Sequence, residues 1–349
     1  MRRKIAKYVL AWAVLLFALA ISGCSGEDFN QKTIASELGT DKEQAQNQTS
    51  GDSEAVQIIG VTNDYLSSGK APTISAQEVY DTVVTGQDPG YILLSVRKPE
   101  DYAKGHIPGA INIPFGQIFK KENLDKLDKG KKIVVICYTG HTASQAAMFL
   151  NQLGYEAYSM KFGMMGWTSD ENVLATKPFT KAPDYPVEVT INQSEPTNEL
   201  PAFASGGEKT EDIIIAQTEN YLTSDRAPTI SAQEVYEEAV MGQNPDYFLL
   251  SVRKAEDYAK GHLPGAVNIP YGQLAKEENL KKLPAGKKIV VICYTGHTAS
   301  YAAMFLNQLG YDAYAMKFGM TGWTSDEKVL ATIPFTKAHD FPTKSGNNP

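Results

Sequence analysis

Two cysteines open identical six-residue stretches, Cys137-Tyr138-Thr139-Gly140-His141-Thr142 and Cys293-Tyr294-Thr295-Gly296-His297-Thr298. The first follows the apolar run Lys132-Ile133-Val134-Val135-Ile136, which reads as a strand buried on both faces. After it, Ala143, Ala146, Ala147 and Leu150 fall at helical spacing, and Gly154 is placed to close that helix. The order strand, loop, helix sets each sulfur beside a helix N-terminus, where unpaired backbone N–H groups and the positive end of the helix dipole collect. A loop curled around the sulfur would favour the thiolate, the nucleophilic form. Gly140 and Gly296 relieve the backbone where a tight curl needs it. The competing reading is a buried core cysteine closing a strand, and recurrence of the whole loop around a second cysteine argues against it.

Other chemistry has little material. The 349 residues hold three cysteines and five histidines, too few for a disulfide framework and a poor source for paired zinc sites. Lys plus Arg number 33 against 40 Asp plus Glu, a net charge of -7. The first 23 residues hold four basic residues and no acid, so the remainder stands at -11, a poor match for nucleic acid. A hydrophobic share of 42% is that of ordinary globular protein.

The elements that position the cysteines are written twice. At an offset of 156 residues, 58–186 aligns with 214–342 without a gap, and 23 of 24 positions are identical between Lys131–Gly154 and Lys287–Gly310. The exception is Gln145 against Tyr301. A unit of this size is a domain able to bury its own core, not a solenoid repeat. Ser75 with Glu78, and Ser231 with Glu234, have the form of a capping box at a helix start. Tyr91–Val96 and Tyr155–Met160 read as further strands, so each copy is predicted to be an α/β domain with a mostly parallel sheet flanked by helices. The predicted organisation is a leader over 1–23, a flexible tether over 24–57, domains over 58–186 and 214–342, a linker over 187–213 and a tail over 343–349.

Three stretches in each copy resemble the rhodanese family. They are Gly105-His106-Ile107-Pro108-Gly109-Ala110-Ile111-Asn112-Ile113-Pro114 with its counterpart Gly261–Pro270, the six-residue cysteine loop, and Lys161-Phe162-Gly163-Met164-Met165-Gly166-Trp167. The chain is thus similar to a tandem rhodanese sulfurtransferase. The resemblance implies that Cys137 and Cys293 are catalytic: each would take the outer sulfur of thiosulfate, polysulfide or a persulfide donor, then pass it from a cysteine persulfide to a thiophilic acceptor. The loop residues Tyr138, Thr139, Gly140, His141 and Thr142, with Tyr294, Thr295, Gly296, His297 and Thr298, would bind the donor. Small sulfur anions, thiol acceptors and protein persulfides are the implied partners, and the implied reaction calls for no metal and no organic cofactor. A second reading is a membrane-tethered persulfide carrier or sulfur-binding module that depends on a protein partner.

Other residues carry two readings each. His141 and His297 either assist an anionic donor or are solvated loop side chains. His106 and His262 read as holding a turn by hydrogen bonding. Arg97 and Arg253 would meet a donor anion or pair with Glu100, Asp101, Glu256 or Asp257. Met164, Met165 and Trp167 would line a pocket rim or close the core.

Two departures from the family stand out. Ser95 and Ser251 occupy a position where the family often has Asp, and the loops carry no basic residue beyond a histidine, which makes thiosulfate a doubtful donor. A cysteine phosphatase or arsenate reductase would need an arginine where Ala143 and Ala299 stand.

At the N-terminus, Arg2, Arg3, Lys4 and Lys7 precede an apolar run from Tyr8 to Ile21 and then Ile21-Ser22-Gly23-Cys24. The run is shorter than the roughly 20 residues a bilayer span needs, and it has the form of a secretory signal. Its end resembles a bacterial lipobox, with Cys24 lipidated and the protein held to a membrane outside the cytoplasm.

Overall fold

The computed structural model describes residues 54–347. The leader, Cys24 and the tether up to residue 53 lie outside the described residues. Within them are two five-stranded, all-parallel sheets of the same topology, as the sequence predicts. The first comprises β1 (Thr73–Ile74), β2 (Tyr91–Ser95), β3 (Ile111–Asn112), β4 (Lys132–Ile136) and β5 (Glu156–Met160), in the order β1-β5-β4-β2-β3. The second comprises β6 (Thr229–Ile230), β7 (Tyr247–Ser251), β8 (Val267–Asn268), β9 (Lys288–Ile292) and β10 (Asp312–Met316), in the order β6-β10-β9-β7-β8.

β4 is the middle strand, paired with β2 from Tyr91↔Lys132 to Ser95↔Ile136 and with β5 on its other side. Its run Ile133, Val134, Val135, Ile136 is buried on both faces, which is why it reads as a continuous apolar stretch rather than an alternation. Cys137 therefore leaves the sheet at the carboxyl end of its central strand, the usual binding edge of a parallel sheet.

The helix that follows, His141–Gln152, is buried on nearly every side. It packs against its counterpart, His297–Gln308, across a pseudo-two-fold axis. Where they meet, Gln152 and Gln308 exchange side-chain amide hydrogen bonds of 2.8 and 2.9 Å. Thr62 and Thr218 accept the remaining amide protons, each at 2.8 Å. A buried polar layer whose members are paired in this way fixes the register of the two helices, because any slip would leave amides unpaired. Buried Phe149, Leu150, Phe305 and Leu306 supply the driving force, at roughly 1.5–3 kcal/mol per side chain.

The expectation that each copy buries its own core needs correction. Each sheet has a private apolar cluster on one face, but the other faces share a single cluster that runs through both repeats. The two near-identical helices are buried on nearly every side because each serves a sheet on one side and its twin on the other. Gln145 and Tyr301, the one mismatch in that segment, do equivalent work. Gln145 donates to Pro228 O at 2.9 Å, just before β6, and Tyr301 donates to Pro72 O at 2.6 Å, just before β1.

The connecting segments are exchanged as well. The end of the first repeat and the residues after it lie on the second: Tyr185 stacks on Tyr236, Trp323 Nε1 donates to Pro186 O, and Glu188 pairs with His262. The end of the second repeat and the residues after it lie on the first: Phe341 stacks on Tyr80, Trp167 Nε1 donates to Pro342 O, and His106 pairs with Lys344. The stretch read as linker is thus partly a strap, and the end of the tether, from residue 54, belongs to a helix of residues 54–67.

Candidate active site

Cys137 and Cys293 occupy equivalent positions. The Gly140 N–H donates to Cys137 Sγ at 3.0 Å, and the Gly296 N–H donates to Cys293 Sγ at 3.1 Å. These are the hydrogen bonds to cysteine sulfur among the described residues, and an N–H aimed at sulfur suits an anion there. The curl is held from outside by the glycine-rich stretch. Met164 N–H donates to Cys137 O and Met165 N–H to Tyr138 O, both at 2.9 Å. Gly163 sits at φ 53°, so close beneath Cys137 O that a Cβ would overlap it. Met164, Met165 and Trp167 are buried and close the core rather than a pocket rim.

Gly140 and Gly296 adopt φ 91° and 86°. The sequence argument for glycine is half of the reason. A Cβ on Gly140 would overlap His297 Nε2, and one on Gly296 would overlap His141 Nε2. Each loop histidine therefore crosses into the other repeat. His141 Nε2 accepts the Phe318 N–H and His297 Nε2 accepts the Phe162 N–H, both at 3.0 Å. Nδ1 meets Thr139 Oγ1 at 2.8 Å in one loop and Thr295 Oγ1 at 2.9 Å in the other. A ring whose Nε2 accepts is neutral with its proton on Nδ1. Burial, with Lys161 nearby, lowers His297 to about 3, and burial with His297 and Lys317 nearby pushes His141 well below the ordinary value. Neither ring is solvated and neither brings charge to a donor, because Nε2 is held by the other repeat and Nδ1 by the threonine of its own loop. Both readings of these histidines are corrected on that ground.

Arg97 and Arg253 are also corrected. Both are fully buried, and both bond backbone carbonyls instead of a donor or a carboxylate. Arg97 donates to Val173 O and Asp101 O at 2.8 Å and to Gly105 O. Arg253 donates to Gly261 O, Asp257 O and Val329 O. Each guanidinium lies 5.4–5.7 Å from the ring of Tyr294 or Tyr138, so it buttresses the loop from behind. His106 and His262 hold their turns, with Nδ1 on Tyr102 O and Tyr258 O at 2.9 and 2.8 Å.

Tyr138 reaches back over the loop. Its hydroxyl donates to Asp101 Oδ2 at 2.8 Å and accepts the Lys98 N–H at 3.1 Å, and burial pushes it up to about 12. Burial alone would raise the Asp101 carboxyl, but hydrogen bonds from Lys104 and Tyr138 hold it below its usual range. Tyr294 repeats the arrangement with Asp257 and Lys254.

Both cysteines are buried, each 1% exposed, and each forms part of the wall of a cavity that the two repeats build together. At Cys137 a space of about 520 Å³ is lined by Tyr138, Thr139, His141 and Thr142, by Lys98, Asp101 and Lys177 of the same repeat, and by Thr229, Lys317 and Phe318 of the other. At Cys293 a space of about 320 Å³ is lined by Tyr294, Thr295, His297, Thr298, Lys254 and Asp257, together with Pro72, Thr73 and Lys161 of the first repeat. The lysines are what the loop sequence does not reveal. Lys161 stands in a stretch already singled out, but only tertiary structure assigns it to the opposite sulfur.

The sequence profile of the rhodanese-like domain matches residues 75–170 and again 231–326, together more than half of the chain. The chain belongs to the rhodanese family. Two Bacillus subtilis (strain 168) relatives are each 35% identical over 22% of this rhodanese chain. They are the proposed sulfur carrier protein YrkF, matched over 77 residues and 40% of its length, and the proposed sulfurtransferase YtwF, matched over 78 residues and 74% of its length. The crystal structure of a rhodanese-related protein from Thermoplasma volcanium is 31% identical over 28% of this chain and 90% of its own, with a TM-score of 0.25. The tandem arrangement, with a cysteine in both rhodanese-like domains, fits transfer of sulfur in general.

Proposed function

We propose that this protein is a sulfurtransferase that works through persulfides on Cys137 and Cys293. The Cys137 thiolate attacks the outer sulfur of an anionic donor. A new S–S bond forms, the donor's own bond to that sulfur breaks, and its electron pair leaves with the departing group, which is sulfite when the donor is thiosulfate. An acceptor thiolate, sulfite or cyanide then attacks the outer sulfur of the persulfide, and the cysteine departs as thiolate. The two steps balance without an external oxidant or reductant. The observation that carries the reading is a sulfur at the end of a central parallel strand, bonded by a loop amide at 3.0 Å and set in the wall of a cavity that lysines also line. The amide that serves the thiolate is placed to serve the persulfide anion as well.

The test is steady-state transfer from thiosulfate and polysulfide to cyanide with Cys137→Ser, Cys293→Ser and the double variant. Each single variant keeps partial turnover, and the double variant has none. Turnover unchanged in the double variant overturns the proposal. A stable gain of one sulfur atom without turnover places the protein with carriers instead. We further propose an extracytoplasmic location with Cys24 acylated. Metabolic labelling with a fatty acid, lost in Cys24→Ala, tests it.

A further inference from the structure

The cysteine loops carry no charge of their own beyond neutral histidines, yet their cavities are not neutral. Lys98, Lys177 and Lys317 face one aspartate, Asp101, around Cys137. Lys161 and Lys254 face Asp257 around Cys293. None of these five lysines is paired with a carboxylate among the described residues. Free cations at a cavity wall leave a net positive field for whatever enters.

Lys317 and Lys161 come from the wrong repeat, and the backbone explains why they are held there. Each follows the last residue of the strand between the central strand and the sheet edge, β10 or β5, and its N–H is fixed at 2.9 Å on Ile230 O or Ile74 O of the edge strand. The next residue, Phe318 or Phe162, turns into left-handed backbone at φ 61° or 63° and gives its N–H to the histidine of the opposite loop. The strand end of one repeat is thereby fastened to the cysteine loop of the other, with the lysine adjacent to the fastening.

We propose that Lys317 and Lys161 are reciprocal specificity-determining residues. Each supplies across the repeat interface the charge that selects an anionic sulfur donor, of the thiosulfonate or polysulfide class, at the other repeat's cysteine. The inference rests on the sulfur-transfer reading and deepens it. It also ranks the sites. Lys177 has Ile333 as its counterpart, so the Cys137 cavity holds three lysines and the Cys293 cavity two, and Cys137 is the better site for a dianion. The doubt raised by the uncharged loop, that thiosulfate is a poor donor, is answered by charge brought from outside the loop.

The test separates the field from the transfer chemistry. In the full chain, alkylation of each cysteine by iodoacetate and by neutral iodoacetamide is followed by peptide mass spectrometry. The ratio of the two rates reports local potential and cancels changes in thiolate fraction. Lys317→Ala lowers the ratio at Cys137 by about fivefold and leaves Cys293 unchanged, Lys161→Ala does the reverse, and about 1 M salt removes both differences. Lys317→Gln, which keeps much of the stem, behaves like the alanine variant, and unchanged iodoacetamide rates show that the fold is intact. With donors, Lys317→Ala raises the KM of thiosulfate at Cys137 about tenfold and leaves an uncharged organic trisulfide unaffected. An effect at the lysine's own cysteine, equal effects on both donors, or unchanged ratios would overturn the proposal. Absence of sulfur on either cysteine with every donor, beside shifted ratios, would instead sink the sulfur-transfer reading on which the donor class depends.

Discussion

Gly140→Ala probes the coupling of the two sites. Position 140 sits at φ 91°, ψ -13°, where a Cβ costs about 1–2 kcal/mol of backbone strain. The same Cβ overlaps His297 Nε2, so the ring must retreat and give up the Phe162 N–H, a bond worth about 1 kcal/mol net. The sum is a destabilisation of about 2–3 kcal/mol. A local view of the loop expects damage at Cys137 alone. Because His297 belongs to the Cys293 loop, the substitution is expected to impair both sites, Cys137 through the displaced amide and Cys293 through its histidine. Urea denaturation and site-resolved persulfide formation measure the two effects. His297→Ala removes the obstructing ring, so Gly140→Ala on that background costs less than it does alone, a coupling of about 1–2 kcal/mol in the double-mutant cycle. Additive energies, or a loss confined to Cys137, would refute this account of the interface.

Three further outcomes are expected. Both loop histidines are held neutral by burial. The unfolded chain takes up their protons near pH 6.5 while the fold does not. Their contribution is therefore complete above that pH and is lost as pH falls, for His297 down to about 3. The slope is about 1.4 kcal/mol per pH unit for each ring, and His141→Gln with His297→Gln should flatten it in denaturation curves at pH 7.5, 6.5 and 5.5. Arg97→Met strands three backbone carbonyls and should cost about 3 kcal/mol or more, whereas Arg97→Lys, in whatever fraction folds, leaves the thiosulfate KM within about twofold of wild type. A large KM change there would restore Arg97 as a donor ligand. Trp167→Phe loses the bond to Pro342 O and should cost about 1–2 kcal/mol, with faster amide exchange in the strap at Phe341, whose N–H is bonded to Trp167 O at 3.0 Å. Unchanged exchange would mean that the strap is held by other contacts.

The geometry of the loops was legible because it is local. A strand buried on both faces, a cysteine, a glycine three residues later and a helix start are all encoded within about one turn of chain, and the backbone N–H that reaches Sγ belongs to that same turn. Parallel-sheet topology was legible for a similar reason, since continuous apolar runs alternating with helical spacing leave few other solutions. The roles of His141, Arg97, Lys161 and Lys317 were not legible. Their partners lie in the other repeat or behind the loop, and side-chain type alone does not say whether a histidine is solvated or accepts a backbone N–H 177 residues away. Repetition added to the difficulty: Lys161 and Lys317 stand in the same Met-Lys-Phe-Gly-Met context, and only the packing of the two helices about their pseudo-two-fold axis decides which sulfur each serves.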